Sequence, residues 1–369
     1  MATIALDATY IVDPESTGTR MYSRRFVESL PGLRSSHHFL LCYRLSRWGR
    51  RRDFLCPASP PGSGGPSFSI RLYQEPFTFW LAWEADLFHS LAQRPPAFRF
   101  RKEIVTIHDV FPLSARNYFT EDYRRKFSAL LLKAIGRAAR ILVPSHYTAE
   151  QLVRHAEVGR QRIRIIPYGV TLPLSLMQPD ERLRQREQVV GNGNEMVLLV
   201  GVLENRKNTL NALRALSKLP ERYRLVLVGG DGYGSEAIHD FIRKEQWASR
   251  VTLLGRVSDE RIATLYQAAS VLLFPSLEEG FGLPVLEAMA HELPVVASCA
   301  SSLPEVGGEA ALYVDPHDPA DIAEKVRRAV EDSSQRGRMI EQGRARAQEF
   351  SWQRVVERTC EVYDEVLAE

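Results

Sequence analysis

Two carboxylates, Glu279 and Glu287, bracket a glycine-rich turn in the stretch Phe274-Pro-Ser-Leu-Glu-Glu-Gly-Phe-Gly-Leu-Pro-Val-Leu-Glu-Ala-Met-Ala. The apolar run ending at Phe274 reads as a strand, and Pro284 suits the first turn of a helix, where its missing N–H costs nothing. Gly280 and Gly282 leave backbone amides uncovered, so a ligand can come close. The free amides at such a helix start favour an anion. Glu279 is expected before the turn and Glu287 in the first helical turn. Carboxylates beside an anion site make sense if they accept hydrogen bonds from sugar hydroxyls. The plainer reading is a helix-dipole glutamate and a solvated loop glutamate.

A second strand, loop and helix start lies in Val200-Gly-Val-Leu-Glu-Asn-Arg-Lys-Asn-Thr-Leu. Arg206 and Lys207 stand just before the helix, where cations oppose the macrodipole, so helix stability does not explain them. An anionic ligand would, since Arg forks across two phosphate oxygens and Lys adds a point charge; simple surface exposure is the alternative. In Val105-Thr-Ile-His-Asp-Val-Phe-Pro, His108 and Asp109 fall at the C-terminal end of a strand, where open α/β sheets bind ligands. His108 could donate to a sugar oxygen or shuttle a proton; a structural His–Asp contact would account for it equally well.

Other motifs are missing. The glycine-rich Val228-Gly-Gly-Asp-Gly-Tyr-Gly-Ser lacks the Gly-x-Gly-x-x-Gly spacing and comes mid-domain, so it reads as a turn and not a dinucleotide site. There is no Asp-x-Asp, no His-Glu-x-x-His and no Gly-x-x-x-x-Gly-Lys-[Ser/Thr]. No metal and no cofactor is therefore expected, and Arg206, Lys207 and helix amides would have to neutralise a leaving diphosphate themselves.

The elements that must position these residues follow an alternating pattern. Short apolar runs, such as 3–6, 39–43, 104–107, 141–143 and 163–166, then 196–200, 224–228, 251–254, 271–274 and 294–297, read as buried parallel strands. Segments 121–138, 145–155, 209–218 and 259–269 have helical spacing, which makes the chain an α/β protein with parallel sheets. Its 369 residues exceed what one core usually holds, so two domains are expected. The stretch from Leu172 to Asn194, with Pro173, Pro179 and a charged run, reads as the linker, and 57–66 reads as a surface loop. The last segment, from Ser351, is a helix with Ser351 as N-cap.

Charge is uneven: of the net +3, residues 1–180 carry +10 and residues 181–369 carry −7. A basic half suits an anionic partner such as a membrane surface, or is simply an arginine-rich solvated face. The four cysteines form no Cys-x-x-Cys pair, and no apolar stretch approaches the ~20 residues of a membrane helix. No secretory signal is visible either. A cytoplasmic protein, at most peripheral at the cytoplasmic face of a membrane, is the expectation, with no nucleic acid as partner.

Together these stretches resemble the retaining glycosyltransferases of family 4, also called group 1. Glu279 and Glu287 reproduce that family's Glu-x7-Glu signature around Gly-Phe-Gly-Leu-Pro. Leu254-Gly-Arg-Val-Ser-Asp, Leu265-Tyr-Gln-Ala-Ala, Pro294-Val-Val-Ala, Leu303-Pro-Glu-Val and Ala310-Ala-Leu-Tyr-Val-Asp-Pro are similar too. The resemblance is weaker before residue 100. It implies the GT-B architecture: two Rossmann-like domains facing across a cleft, with a C-terminal helix crossing back to the first. On that basis residues 1–175 form an acceptor-binding domain, 176–194 a linker, 195–350 a nucleotide-sugar-binding domain, and 351–369 a helix packing on the N-terminal domain.

The resemblance also implies roles. Glu279 contacts donor-sugar hydroxyls and Glu287 the nucleotide ribose; Gly280, Phe281, Gly282 and Leu283 present the loop's backbone to the sugar, and Val257 lies near the base. Arg206 and Lys207 look like the family's diphosphate cations, His108 like its N-terminal active-site histidine with Asp109 on the acceptor side, and Gly18 like the small residue of the first loop. Two departures stand out. Gly201-Val202 replaces the common Gly-Arg, and Ser16-Thr17-Gly18-Thr19 lacks the common Gly-Gly pair. The Arg-Lys-Asn loop with Thr-Ile-His-Asp looks most like mannosyltransferase-type members that build surface polysaccharides. The implied activity is metal-independent transfer of a sugar, mannose from GDP-mannose as the best choice, to a glycan or lipid-linked glycan hydroxyl. A nucleotide-sugar epimerase or phosphorylase of the same architecture, a non-catalytic sugar-nucleotide-binding protein and a two-carboxylate glycoside hydrolase are the competing readings.

Overall fold

The computed structural model describes residues 1–13, 18–59, 64–74, 77–96, 98–114, 118–245 and 247–369. Ser16 and Thr17 of the first loop and residues 60–63 of the expected surface loop lie outside them. The chain divides into two compact units, one made of residues 1–116, 121–169 and 351–369, the other of 117–120 and 170–350.

The first unit is built on a parallel sheet of β1 (Thr3–Asp7), β2 (His38–Arg44), β3 (Ser67–Tyr73), β4 (Leu87–Ser90), β5 (Glu103–Thr106), β6 (Arg140–Val143) and β7 (Ile163–Ile165). Their order is β3-β2-β1-β4-β5-β6-β7. Its helices are α1 (Gly18–Ser29), α2 (Leu45–Trp48), α3 (Leu81–Glu84), α4 (Glu121–Arg137) and α5 (His146–Ala156). The inner strands β1, β2, β4, β5 and β6 are almost wholly buried, with both faces covered, and are correspondingly rich in apolar residues. The C-terminal helix Trp352–Ala368 belongs to this unit. Ser351 caps it by accepting from the Arg354 amide at 3.2 Å. Its buried stripe of Trp352, Val355, Val356, Cys360, Tyr363 and Val366 follows helical spacing. Gly169 lets this helix close in, since a Cβ there would lie 2.3 Å from the Trp352 nitrogen.

The second unit repeats the plan. Its strands are β8 (Glu195–Val200), β9 (Tyr223–Val228), β10 (Val251–Gly255), β11 (Val271–Phe274), β12 (Val295–Ser298) and β13 (Ala311–Val314). They are parallel in the order β10-β9-β8-β11-β12-β13. The helices are α6 (Pro179–Val190), α7 (Thr209–Leu216), α8 (Ser235–Lys244), α9 (Asp259–Ala268), α10 (Leu283–Ala290), α11 (Leu303–Gly307), α12 (Pro319–Glu331) and α13 (Ser333–Gln348). In each unit the strand order reverses beside the first strand, between β1 and β4 and between β8 and β11, the Rossmann arrangement whose ligands sit at that switch point.

Several expectations need correction. The stretch 176–194 is not an extended linker. It folds as α6, with Pro179 in its first turn and Asp180 and Glu181 favouring the N-terminal dipole. It is polar because it docks through arginine heads: Arg182 meets Glu292 at 3.0 Å, and Arg186 donates to the Ala268 carbonyl at 2.8 Å. Three strands also escape the reading. β3 is a half-exposed edge strand, β4 is only four residues long and carries His89, and β13 was read only as a family motif.

Candidate active site

The loops that follow β8 and β11 leave adjacent strands at the switch point of the second sheet. Glycines let the loops after β8 and β9 pass each other beside them. Gly201 has φ +142°, and Gly229, φ +149°, lies so close that a Cβ would stand 1.9 Å from the Gly201 carbonyl oxygen. The glycine-rich stretch after β9 is therefore a packing turn. Asn208, in left-handed conformation, donates to the carbonyls of Pro275 at 3.0 Å and Pro316 at 2.6 Å. The Leu277 amide donates to the Arg206 carbonyl at 2.8 Å. These bonds hold the two loops edge to edge.

The result is an ion cluster. Lys207 Nζ is 2.7 Å from Glu279 Oε1, and Arg206 Nη1 is 2.8 Å from Glu279 Oε2. Arg206 also donates to the Glu278 carbonyl at 2.7 Å and to Glu204 Oε1 at 2.5 Å. Lys207 lies over the Phe274 ring, 4.6 Å from its centroid. All three side chains are almost wholly buried, so simple surface exposure does not account for the cations. Burial by itself raises the Glu279 carboxyl, but Arg206 and Lys207 outweigh it and hold the group at about 2, ionised at neutral pH. Burial pushes the Lys207 ammonium down, and Glu279 opposes that.

The turn from Glu279 to Leu283 is fixed from below. The Glu279 amide donates to Ser301 Oγ at 2.9 Å, and the buried Ser302 hydroxyl reaches the carbonyls of Glu279 at 2.9 Å and Phe281 at 2.8 Å. Ser301 is itself in the left-handed region, φ +59°, a strained position of the kind that gathers at functional sites. Gly282, φ +110°, has no room for a Cβ, which would lie 2.6 Å from Leu303 Cδ2. Both serines escaped the sequence reading; the available signal was a Ser-Ser pair directly before Leu303-Pro304.

Glu287 lies in the second turn of α10, not the first as expected, because it is the fifth residue of a helix that begins at Leu283 and turns every ~3.6 residues. Tyr266 donates to its Oε2 at 2.7 Å. Tyr266 in turn stacks on His291, 5.5 Å between centroids, whose Nδ1 donates to the Glu287 carbonyl at 2.7 Å. Burial lowers His291, favouring this neutral ring. Val257 stands apart, half-buried after β10, two strands from β8.

In the first unit His108 is fixed by two partners. Its Nε2 donates to the Leu91 carbonyl at 3.0 Å, so Nδ1 is the acceptor for the Tyr168 hydroxyl. Burial pushes the imidazole down to about 4, against the Leu91 carbonyl, so it is neutral at pH 7. The alternative reading, a structural His–Asp contact, is not what holds this ring. Asp109 Oδ1 accepts from the Phe111 amide at 3.3 Å, and its carbonyl accepts from Gln93 at 3.0 Å. Gly18 opens α1, and among the described residues nothing lies within 4 Å of where its Cβ would be. Behind His108, His89 is fully buried between the Tyr363 hydroxyl at 2.6 Å and Thr106 Oγ1 at 2.8 Å. Among the described residues, no group of three or more His, Cys, Asp or Glu is arranged to hold a metal ion. No helix among them is long and apolar enough to cross a membrane.

Two Rossmann-like parallel sheets, with a glycine turn and a buried cation pair at the switch point of the second, define a glycosyltransferase of the GT-B class. Residues 180–346 match the family model for glycosyl transferases group 1 and residues 23–173 that for glycosyltransferase family 4. The chain belongs to this family. It is 31% identical over 292 residues to O-antigen chain mannosyltransferase B of Escherichia coli, covering 76% of each chain. It is 28% identical over 261 residues to the serotype-specific mannosyltransferase WbdA of the same organism, covering 68% of this chain but only 32% of WbdA. Among solved structures, Anabaena HepE in complex with UDP and glucose superposes with a TM-score of 0.75 at 19% identity, covering 99% of this chain and 100% of that one. Sucrose-phosphate synthase from Thermosynechococcus elongatus does so at 0.75 and 22%, covering 100% of both. At these identities the shared property is the fold.

Proposed function

We propose that the protein transfers a hexose from a nucleoside-diphosphate sugar to a hydroxyl of a glycan or lipid-linked glycan, with retention and without a metal. Mannose from GDP-mannose is the donor we favour, in the synthesis of a surface polysaccharide. The observation that carries the reading is the convergence of Arg206 and Lys207 on Glu279 beside the Gly280–Leu283 turn. The mannosyltransferase relatives support the choice of sugar, and family membership supports the reaction class.

In this reading the bond between the sugar and the leaving phosphate loosens first. Positive charge grows on the ring and negative charge on the diphosphate. Arg206 and Lys207 stabilise the latter from a buried site where they need no reorganisation, an effect worth roughly 2.7–4 kcal/mol per preorganised group. Lys207 carries three N–H bonds, one of which Glu279 takes. Glu279 keeps the two cations charged and in place and offers its oxygens to sugar hydroxyls; it is not a nucleophile. Glu287, steadied by Tyr266, takes the ribose hydroxyls. The backbone of Gly280, Phe281, Gly282 and Leu283 lies along the sugar and Val257 lies near the base; Gly18 and His108 are the candidate residues of the first unit. His108 acts as a neutral, oriented ring.

The test is to incubate the protein with GDP-mannose, UDP-glucose or other nucleotide sugars and a lipid-linked glycan acceptor, and to read the products by mass spectrometry and NMR. The expected result is mannose added from GDP-mannose in the donor's own α configuration. Release of an epimerised sugar or a sugar 1-phosphate would point to the epimerase or phosphorylase reading. Donor binding with no turnover would point to a binding protein.

A further inference from the structure

The segments that follow β2 and β3 leave the sheet side by side. The two strands are parallel neighbours with Arg44 in register with Tyr73, and the Arg44 guanidinium stacks 5.2 Å from the Tyr73 ring centroid. After β2 come α2, which packs beside β3, and a short turn at Gly49–Asp53; between them they carry Arg47, Arg50, Arg51 and Arg52. After β3 the chain runs into α3. Leu81 and Ala85 turn inward onto Tyr73, Phe88 and Phe100. The turn before α3 carries Phe77, Phe79 and Trp80, and α3 itself Trp83; they are 70%, 53%, 50% and 82% exposed. Phe79 touches both Trp80 and Trp83, at centroid distances of 5.9 and 5.7 Å, so three of the rings form one plate.

Single exposed apolar residues are ordinary, but four exposed aromatics within seven positions, three of them in ring contact, make a patch of the kind that marks interaction surfaces. We propose that this face of the first unit docks on an anionic lipid bilayer. Trp and Phe rings suit the depth of the headgroup region, and arginines beside them draw the face to negative headgroups. The charge balance favours that partner. Glu84 is neutralised by Arg71 at 2.6 Å, and Arg47 is held by Asp13 at 3.3 Å. Arg50 and Arg52 stay exposed, opposed by Asp53 alone within the turn. A glycan would require hydrogen-bonding side chains between the rings. Thr78 instead is buried, with its hydroxyl turned onto the Gln74 backbone at 3.0 and 3.1 Å.

The experiment is co-sedimentation of the full chain with vesicles of phosphatidylglycerol and phosphatidylethanolamine, against vesicles of phosphatidylcholine. Binding to the anionic vesicles alone, weakened by salt, is expected. Trp80→Ala/Trp83→Ala should lower the partition coefficient at least ~10-fold, and Arg50→Gln/Arg52→Gln by about 25-fold, roughly fivefold per arginine. Melting temperatures should be unchanged; if the double tryptophan variant does not fold, Trp83→Ala alone is read. The proposal is overturned by absence of binding to anionic vesicles, or by variants that bind as well as the parent. It is equally overturned if the tryptophan variant turns a dimer into a monomer in light scattering, which would make the face an interface between copies. Loss of transfer to a water-soluble acceptor with vesicle binding intact would make it a glycan site.

Discussion

Lys207 Nζ lies 2.7 Å from Glu279 Oε1, and the two side chains are only 10% and 9% exposed. A buried carboxylate that holds two cations is costly to disturb, because removing one partner leaves charge without its counterpart. Lys207→Ala should therefore cost both function and stability. Turnover should fall by on the order of 10²-fold or more if Lys207 neutralises the leaving diphosphate. The melting temperature should fall less than for a complete loss of the pair, since Arg206 still reaches Glu279 at 2.8 Å. Steady-state kinetics beside a thermal melt would separate the two effects; an unchanged kcat removes Lys207 from the chemistry.

This pair also shows how far the sequence could be read. Arg206 and Lys207 stand out because cations before a helix oppose its dipole, and Glu279 because it precedes a glycine turn. Their union depends on β8 and β11 being neighbours, a pairing of strands some 70 residues apart that no local pattern encodes. The same holds for Tyr266 on Glu287 and Tyr168 on His108. Strand β11 was legible to the residue, as a pure Val-Leu-Leu-Phe run, whereas edge strand β3 was hidden by its alternation of polar and apolar residues. Helix α6 has a linker's composition because its contacts run through arginine heads and not through an apolar stripe.

Acid should weaken the first unit through two histidines. Burial lowers His89 to about 3 and His108 to about 4, below the ~6.5 of an unfolded histidine. Each is neutral in the fold, so the unfolded chain binds more protons between those values. Stability is then fully present above pH ~6.5 and falls as pH drops toward the folded values, by up to about 1.4 kcal/mol per pH unit for each group. His89→Gln should flatten the melting temperature's dependence on pH in that window. An equally steep dependence would show that His89 does not titrate as described.

Tyr266 should matter through Glu287. Its hydroxyl donates to Oε2 at 2.7 Å, and hydrogen bonds to charged groups are worth roughly 1.5–3 kcal/mol. If that bond aims the carboxylate at the nucleotide, Tyr266→Phe should raise the donor KM about 10-fold with kcat little changed. A fall in kcat at constant KM would place the tyrosine in another role.

The diphosphate is expected to be neutralised by Arg206, Lys207 and backbone amides. Transfer should accordingly persist in EDTA. A complete loss restored by magnesium would contradict that assignment.

The central claim is that a nucleoside-diphosphate sugar binds the second unit at the Glu279–Glu287 turn. Calorimetric titration of the protein with GDP, UDP, dTDP and ADP and their sugar conjugates, without metal, tests it most directly. The account predicts that one nucleotide, GDP by our reading, binds selectively and that Glu287→Ala weakens it at least ~10-fold, as loss of a charged hydrogen-bond partner should. Binding of none at millimolar concentration, or binding indifferent to Glu287→Ala, would contradict it.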